Sequence, residues 1–65
     1  MEDARLLSEL SHELLTPLGT IVGMTELLLD GSFGTLDGRQ RDLVQDVRDG
    51  GGQLLGLIRG MVDLA

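Results

Sequence analysis

A chain of 65 residues with eleven carboxylates against five arginines, no lysine and a formal net charge of -6 offers little to nucleic acid or to an anionic bilayer surface. Both are bound largely through cations. Cysteine is absent and histidine occurs once, so neither a disulfide framework nor a structural zinc site can hold so small a chain together.

A domain this short buries only about 60% of the surface its unfolded form exposes, so a second chain is the expected source of further burial. No apolar run approaches the ~18 residues of a membrane span, and no signal peptide is expected. The expectation is a cytoplasmic unit without direct membrane contact. The helical pattern is still running at Asp63-Leu64-Ala65 with no capping residue. This predicts a piece of a longer protein, whose parent is free to be membrane-anchored.

From the N-terminus, Leu7, Leu10, Leu14, Ile21, Met24 and Leu28 recur at three- and four-residue steps and predict a helix over about 3–30. With Leu7, Leu14, Ile21 and Leu28 at heptad position a, and Leu10 and Met24 at d, His12 falls at f, facing away from the core. Thr16 follows one turn later on nearly the same side. A solvated histidine on a polar face is the ordinary reading of such a position. Pro17 has two readings. Thr16 can cap a helix that begins at Pro17, or one helix runs through, kinked where Pro17 removes the bond to the Glu13 carbonyl at about 3 kcal/mol. The apolar phase crosses Pro17 without a jump, which favours the second.

The loop, about 31–37, opens with Gly31 in the place of a helix-ending glycine. It closes with Asp37 and Gln40 spaced as a capping box. Phe33 and Leu36 are expected to fold over the helix ends. A second helix, about 38–64, shows Leu43, Val47, Leu54, Ile58, Met61 and Ala65 at helical spacing. So short a connection makes the helices antiparallel neighbours.

Leu6, Leu15, Leu18, Val22, Leu27, Leu29, Leu55, Leu57 and Val62 widen both apolar stripes beyond what one seam can cover. The expected fold is therefore all-α: an antiparallel two-helix hairpin that homodimerises into a four-helix bundle. Gly50-Gly51-Gly52 costs about 1 kcal/mol per glycine relative to alanine in a helix interior. The helix either breaks there or the glycines serve close packing. Folding the chain about Gly34 puts Gly51 level with Pro17, which predicts that helix two passes close to the kinked turn.

His12-Glu13-Leu14-Leu15-Thr16-Pro17-Leu18 resembles the H-box of sensor histidine kinases, usually written H-E-x-R-T-P-L. LLLDG and QLLGLIRGMVDLA resemble the rest of that family's dimerisation and histidine-phosphotransfer (HisKA) domain, so the resemblance spans residues 1–65. It implies that His12 accepts the ATP γ-phosphoryl group on Nε2 and passes it to an aspartate of a response-regulator receiver domain. It also implies that Glu13 orients and activates the imidazole, that Thr16 helps position water for dephosphorylation, and that Pro17 loosens the helix beside the acceptor.

The partners implied are a second copy, the ATP-binding catalytic domain of the same kinase and the receiver domain. ATP and Mg belong to that catalytic domain, and no cofactor is expected here: Gly50-Gly51-Gly52 follows no strand and precedes no P-loop lysine. Alone, the chain is expected to be a phosphoacceptor substrate without kinase activity. Leu15 stands where the family usually has a basic residue, which removes a cation and is expected to expose an apolar side chain. The alternative reading is a dimeric signalling scaffold or adaptor that is never phosphorylated, against which His12, Glu13 and Thr16 are all present.

Overall fold

The computed structural model describes the backbone of residues 2–64 and the side chains of residues 3–61. Two helices, α1 (Glu2–Leu29) and α2 (Gly38–Leu64), pack along each other as a hairpin measuring 50 × 16 × 12 Å. Pro17 lies inside α1, which continues through it, so the chain does not begin a new helix there. α2 likewise runs unbroken through Gly50-Gly51-Gly52.

Local chemistry sets both inner helix ends. At the end of α1, Gly31 takes φ 86° and its N–H donates to Leu28 O, while the Ser32 N–H donates to Leu27 O. These are the two bonds of a Schellman motif, and glycine reaches the left-handed conformation without the Cβ penalty. Asp30 reinforces the turn by accepting from both the hydroxyl and the N–H of Ser32, in that order of weight, which hold its carboxyl below the ordinary value of 3.8. A carboxylate so depressed supports the turn above its unfolded pKa and releases it as pH falls through the folded one.

α2 starts on a capping box, as its sequence predicts. Asp37 Oδ1 accepts the Gln40 N–H at 2.8 Å, and Gln40 Oε1 accepts the Asp37 N–H at 3.0 Å. Arg41 then reaches back from the first turn of α2, its Nη1 3.5 Å from Leu29 O, which places a cation at the C-terminal end of α1. Phe33 does not fold over the helix ends: it is 75% exposed, beside Met24, Leu27 and Leu28. Gly34 donates to Gly31 O, so the loop turns on itself and holds Phe33 outward. Leu36 is half-buried.

The seam between the helices differs from the one that the leucine spacing suggests. Ser11, Leu15, Leu18, Val22 and Thr25 of α1 face Val44, Arg48, Gly51, Leu55 and Ile58 of α2. These positions recur at three- and four-residue steps too, offset from the leucine stripe by one place around the helix. Leu7, Leu10, Leu14, Ile21 and Met24 remain exposed, as do Leu43, Val47, Leu54 and Met61, while Ile58 belongs to the inner seam. Val62 and Ala65 lie outside the described side chains.

Side-chain size accounts for the choice. The inner seam carries Ser11, Thr25 and Gly51, which let two backbones approach, whereas the other seam is nearly all leucine, isoleucine and methionine. Both buried hydroxyls are satisfied within α1: Ser11 Oγ donates to Leu7 O at 2.8 Å, and Thr25 Oγ1 to Val22 O at 2.6 Å.

Gly51 marks a close approach of the two helices. A Cβ built there stands 2.9 Å from Val22 Cγ2, whereas Gly50 and Gly52 have open space. The glycine therefore meets Val22, five residues beyond the expected Pro17. The loop does not pivot at Gly34; it climbs past the end of α1 before α2 begins. With Gly51 opposite Val22, residue 44 stands opposite residue 29, so the first six residues of α2 extend about 9 Å beyond α1.

Three substitutions test this account by unfolding measured at fixed protein concentration. Gly52→Ala, on open surface, raises stability by about 1 kcal/mol through helix propensity. Gly51→Ala forfeits that gain, because the stiff β-branched Val22 yields poorly and overpacking costs about 1–3 kcal/mol. Equal stabilisation by both would show that the approach at Gly51 is not tight. Asp37→Ala removes the N-cap acceptor and lowers stability by about 1 kcal/mol; an unchanged denaturation midpoint would remove the capping box from this account.

Candidate functional site

His12 is exposed on α1, immediately after Ser11, the most deeply buried residue described. Ser11 faces α2, and a further turn of about 100° puts His12 on the outer rim of the helix pair. The backbone under His12 is thus pinned by packing while its ring stands in solvent. Sequence reasoning missed Ser11; the signal is its step of four to Leu15, which continues to Leu18, Val22 and Thr25.

Glu13 and Thr16 are exposed on the same helix, one residue and one turn along. Among the described residues neither the His12 ring nor the Glu13 carboxylate has a hydrogen-bond partner, so no imidazole–carboxylate bond is formed in this conformation. Thr20 Oγ1 donates to Thr16 O at 3.2 Å, tying the turn that contains Pro17. Pro17 has no N–H, so the Glu13 carbonyl lacks its usual helical donor.

Leu15 is half-buried on the inner seam, contrary to the expectation that it exposes an apolar side chain. Three residues after His12, its position turns inward. Gly50-Gly51-Gly52 is helix interior in sequence, with only Gly51 packed against α1.

The opposite rim of the hairpin is apolar. A groove of about 420 Å³ there is lined by Leu14, Pro17, Ile21, Leu54, Met61 and their buried neighbours. Its continuation, about 200 Å³, lies among Thr25, Leu28, Leu43, Val44 and Val47. Pro17 thus faces away from the rim that carries His12. Among the described residues no three histidine, cysteine or carboxylate side chains converge as metal ligands. No described helix is long and apolar enough to cross a membrane.

A single exposed imidazole, with a hydroxyl one turn on towards the same side and an exposed carboxylate next to it further round α1, can accept and release a group brought by another domain. Residues 2–65 match the family described as the His Kinase A (phospho-acceptor) domain. The circadian input-output histidine kinase CikA of Synechococcus elongatus is 44% identical over 59 residues, which cover 91% of this chain and 8% of that protein. The cell-division control histidine kinases PdhS of Brucella anthropi and Brucella ovis are each 34% identical over 65 residues, 98% of this chain and 6% of theirs. The chain thus spans less than a tenth of the length of these relatives. No solved structure matches it. On the match over residues 2–65 and the identities to these kinases, the chain belongs to the His Kinase A phospho-acceptor domain family of histidine kinases.

Proposed function

We propose that this chain is the dimerisation and phosphoacceptor domain of a two-component sensor histidine kinase, with His12 as the acceptor. The observation that carries the reading is the division of the hairpin into two rims: a lone exposed imidazole on one and an uncovered leucine-rich seam on the other.

His12 Nε2 attacks the γ-phosphorus of ATP; the N–P bond forms as the bond to the β,γ-bridging oxygen breaks, and ADP leaves. Glu13 accepts a hydrogen bond from Nδ1–H, which raises the nucleophilicity of the ring and fixes its tautomer. The phosphoryl group then passes to a carboxylate oxygen of a receiver-domain aspartate, and Thr16 positions water for the hydrolytic reaction. Pro17 leaves the helix beside the acceptor short of one hydrogen bond, so it can yield to either partner. ATP and Mg come with a separate catalytic domain of the parent, which works in the cytoplasm.

The uncovered seam supports a homodimer. Leu10, Leu14, Ile21, Met24, Leu43, Val47, Leu54 and Leu57 are 49% to 67% exposed. Burying one such side chain fully contributes about 1.5–3 kcal/mol. Packing two hairpins through these seams gives a four-helix bundle with both histidines outside. Light scattering at micromolar concentration should report twice the chain mass, and Leu54→Glu should return the monomer mass. A cooperatively melting monomer of the unsubstituted chain would reject the bundle.

With the parent's catalytic domain and Mg-ATP, the chain should gain one acid-labile phosphoryl group, lost in His12→Gln with helicity intact. Glu13→Ala should slow this gain by roughly 10²-fold, the lower end of general acid–base contributions. Thr16→Ala should chiefly slow regulator-dependent loss of the label. Label persisting in His12→Gln would remove His12 from the mechanism.

A further inference from the structure

The register of the hairpin brings one arginine to the acceptor. Gly51 lies against Val22 in antiparallel helices. Eight residues on from Gly51 is Arg59, and eight back from Val22 is Leu14, so these stand level. Arg59 is therefore offset from His12 by two residues along the axis, about 3 Å.

The side is settled by the same geometry. Ser11 and Ile58 are both buried between the helices, and each is followed by a residue turned about 100° further round. Because the helices run in opposite directions, that turn carries His12 and Arg59 to one rim. Leu14, Leu54 and Met61 go to the other, where they line the apolar groove. Helix axes in such pairs are about 8–10 Å apart, a gap that an extended arginine and a phosphorylated imidazole close between them. No side chain intervenes from Gly19, Gly56 or Gly60, each of which has open space where a Cβ would stand.

Charge gives the juxtaposition its meaning. Glu9 and Glu13 are exposed carboxylates flanking His12 on α1. A phosphorylated side chain brings about -1.5 to -2 further charge into that setting. Arg41 is engaged at Leu29 O and Arg48 pairs with Asp49 at 3.1 Å. Arg39 lies in the first turn of α2, at the far end of the hairpin, and Arg5 is about 10 Å back along α1 from His12. Arg59 is exposed and forms no ion pair among the described residues.

We propose that Arg59 is the residue that holds the phosphoryl group once it is on His12, its guanidinium taking two non-transferred oxygens from across the helix pair. The inference rests on His12 being the phosphoacceptor. Arg59 touches neither the N–P bond that forms nor the bond that breaks; it supplies the cation that α1 lacks beside the histidine.

Phosphoramidate, which phosphorylates imidazole nitrogen with ammonia as leaving group, tests this without a kinase. The unsubstituted chain and the Arg59→Ala, Arg59→Lys and Arg5→Ala variants are treated with it, the site is mapped by mass spectrometry and the phosphoryl group is titrated by ³¹P NMR. In Arg59→Ala the phosphoryl pKa should rise by about half a unit, as expected for removing a nearby partly screened cation. Arg59→Lys should recover most of the shift, and Arg5→Ala should titrate like the unsubstituted chain. A purely structural arginine would not move this titration. Identical titration of the Arg59→Ala and unsubstituted chains, both labelled on His12, would overturn the role of Arg59 alone. Failure of the unsubstituted chain to label at His12 would overturn the acceptor reading, and this inference with it.

Discussion

The closeness of Gly51 to Val22 is the contact on which the rest of the hairpin depends. Glycine lets α2 pass there without displacing its neighbour, since a Cβ would stand 2.9 Å from a valine methyl. That approach selects the seam of small residues as the inner one and sets the register between the helices. From the register follow the inward turn of Ser11 and Leu15, the outward turn of His12 and the level at which each α2 residue meets α1. The helix-propensity cost of a glycine mid-helix, about 1 kcal/mol, is what this close packing offsets.

Much of the fold is legible in the sequence because it rests on local chemistry. The two helices, the helix-ending glycine at Gly31 and the Asp37–Gln40 box are each encoded within a few residues. Continuity through Pro17 and through the three glycines could be read from the unbroken apolar phase. The inner seam could not. Each helix carries two stripes with the same three-and-four spacing, one place apart, and periodicity cannot rank them. Hydrophobicity points to the leucine stripe, whereas close approach in one chain selects the stripe with serine, threonine and glycine. The level of Gly51 escapes the sequence for a related reason: pivoting at the loop centre assumes helices of matched ends, and here α2 starts beyond α1.

The candidate site shows the same division. His12, Glu13, Thr16 and Pro17 stand out by residue type and spacing, and the outward placement of His12 follows from one helix alone. The half-burial of Leu15 and the anchoring by Ser11 needed the seam to be known. What α2 contributes beside the histidine depends on the register between helices, a non-local quantity that no window along the chain contains.

The interval between the two rims has a consequence for how such a domain can diverge. Leu10 and Leu14 lie on one side of Ser11 around α1, and His12 on the other, with the inner seam between them. Residues exposed on the histidine rim are therefore different from those on the leucine rim, and neither set overlaps the seam that keeps the hairpin folded. Recognition can drift through substitutions at exposed polar positions while the leucine rim and the seam stay unchanged, so a duplicated copy could acquire a new correspondent without first losing its shape.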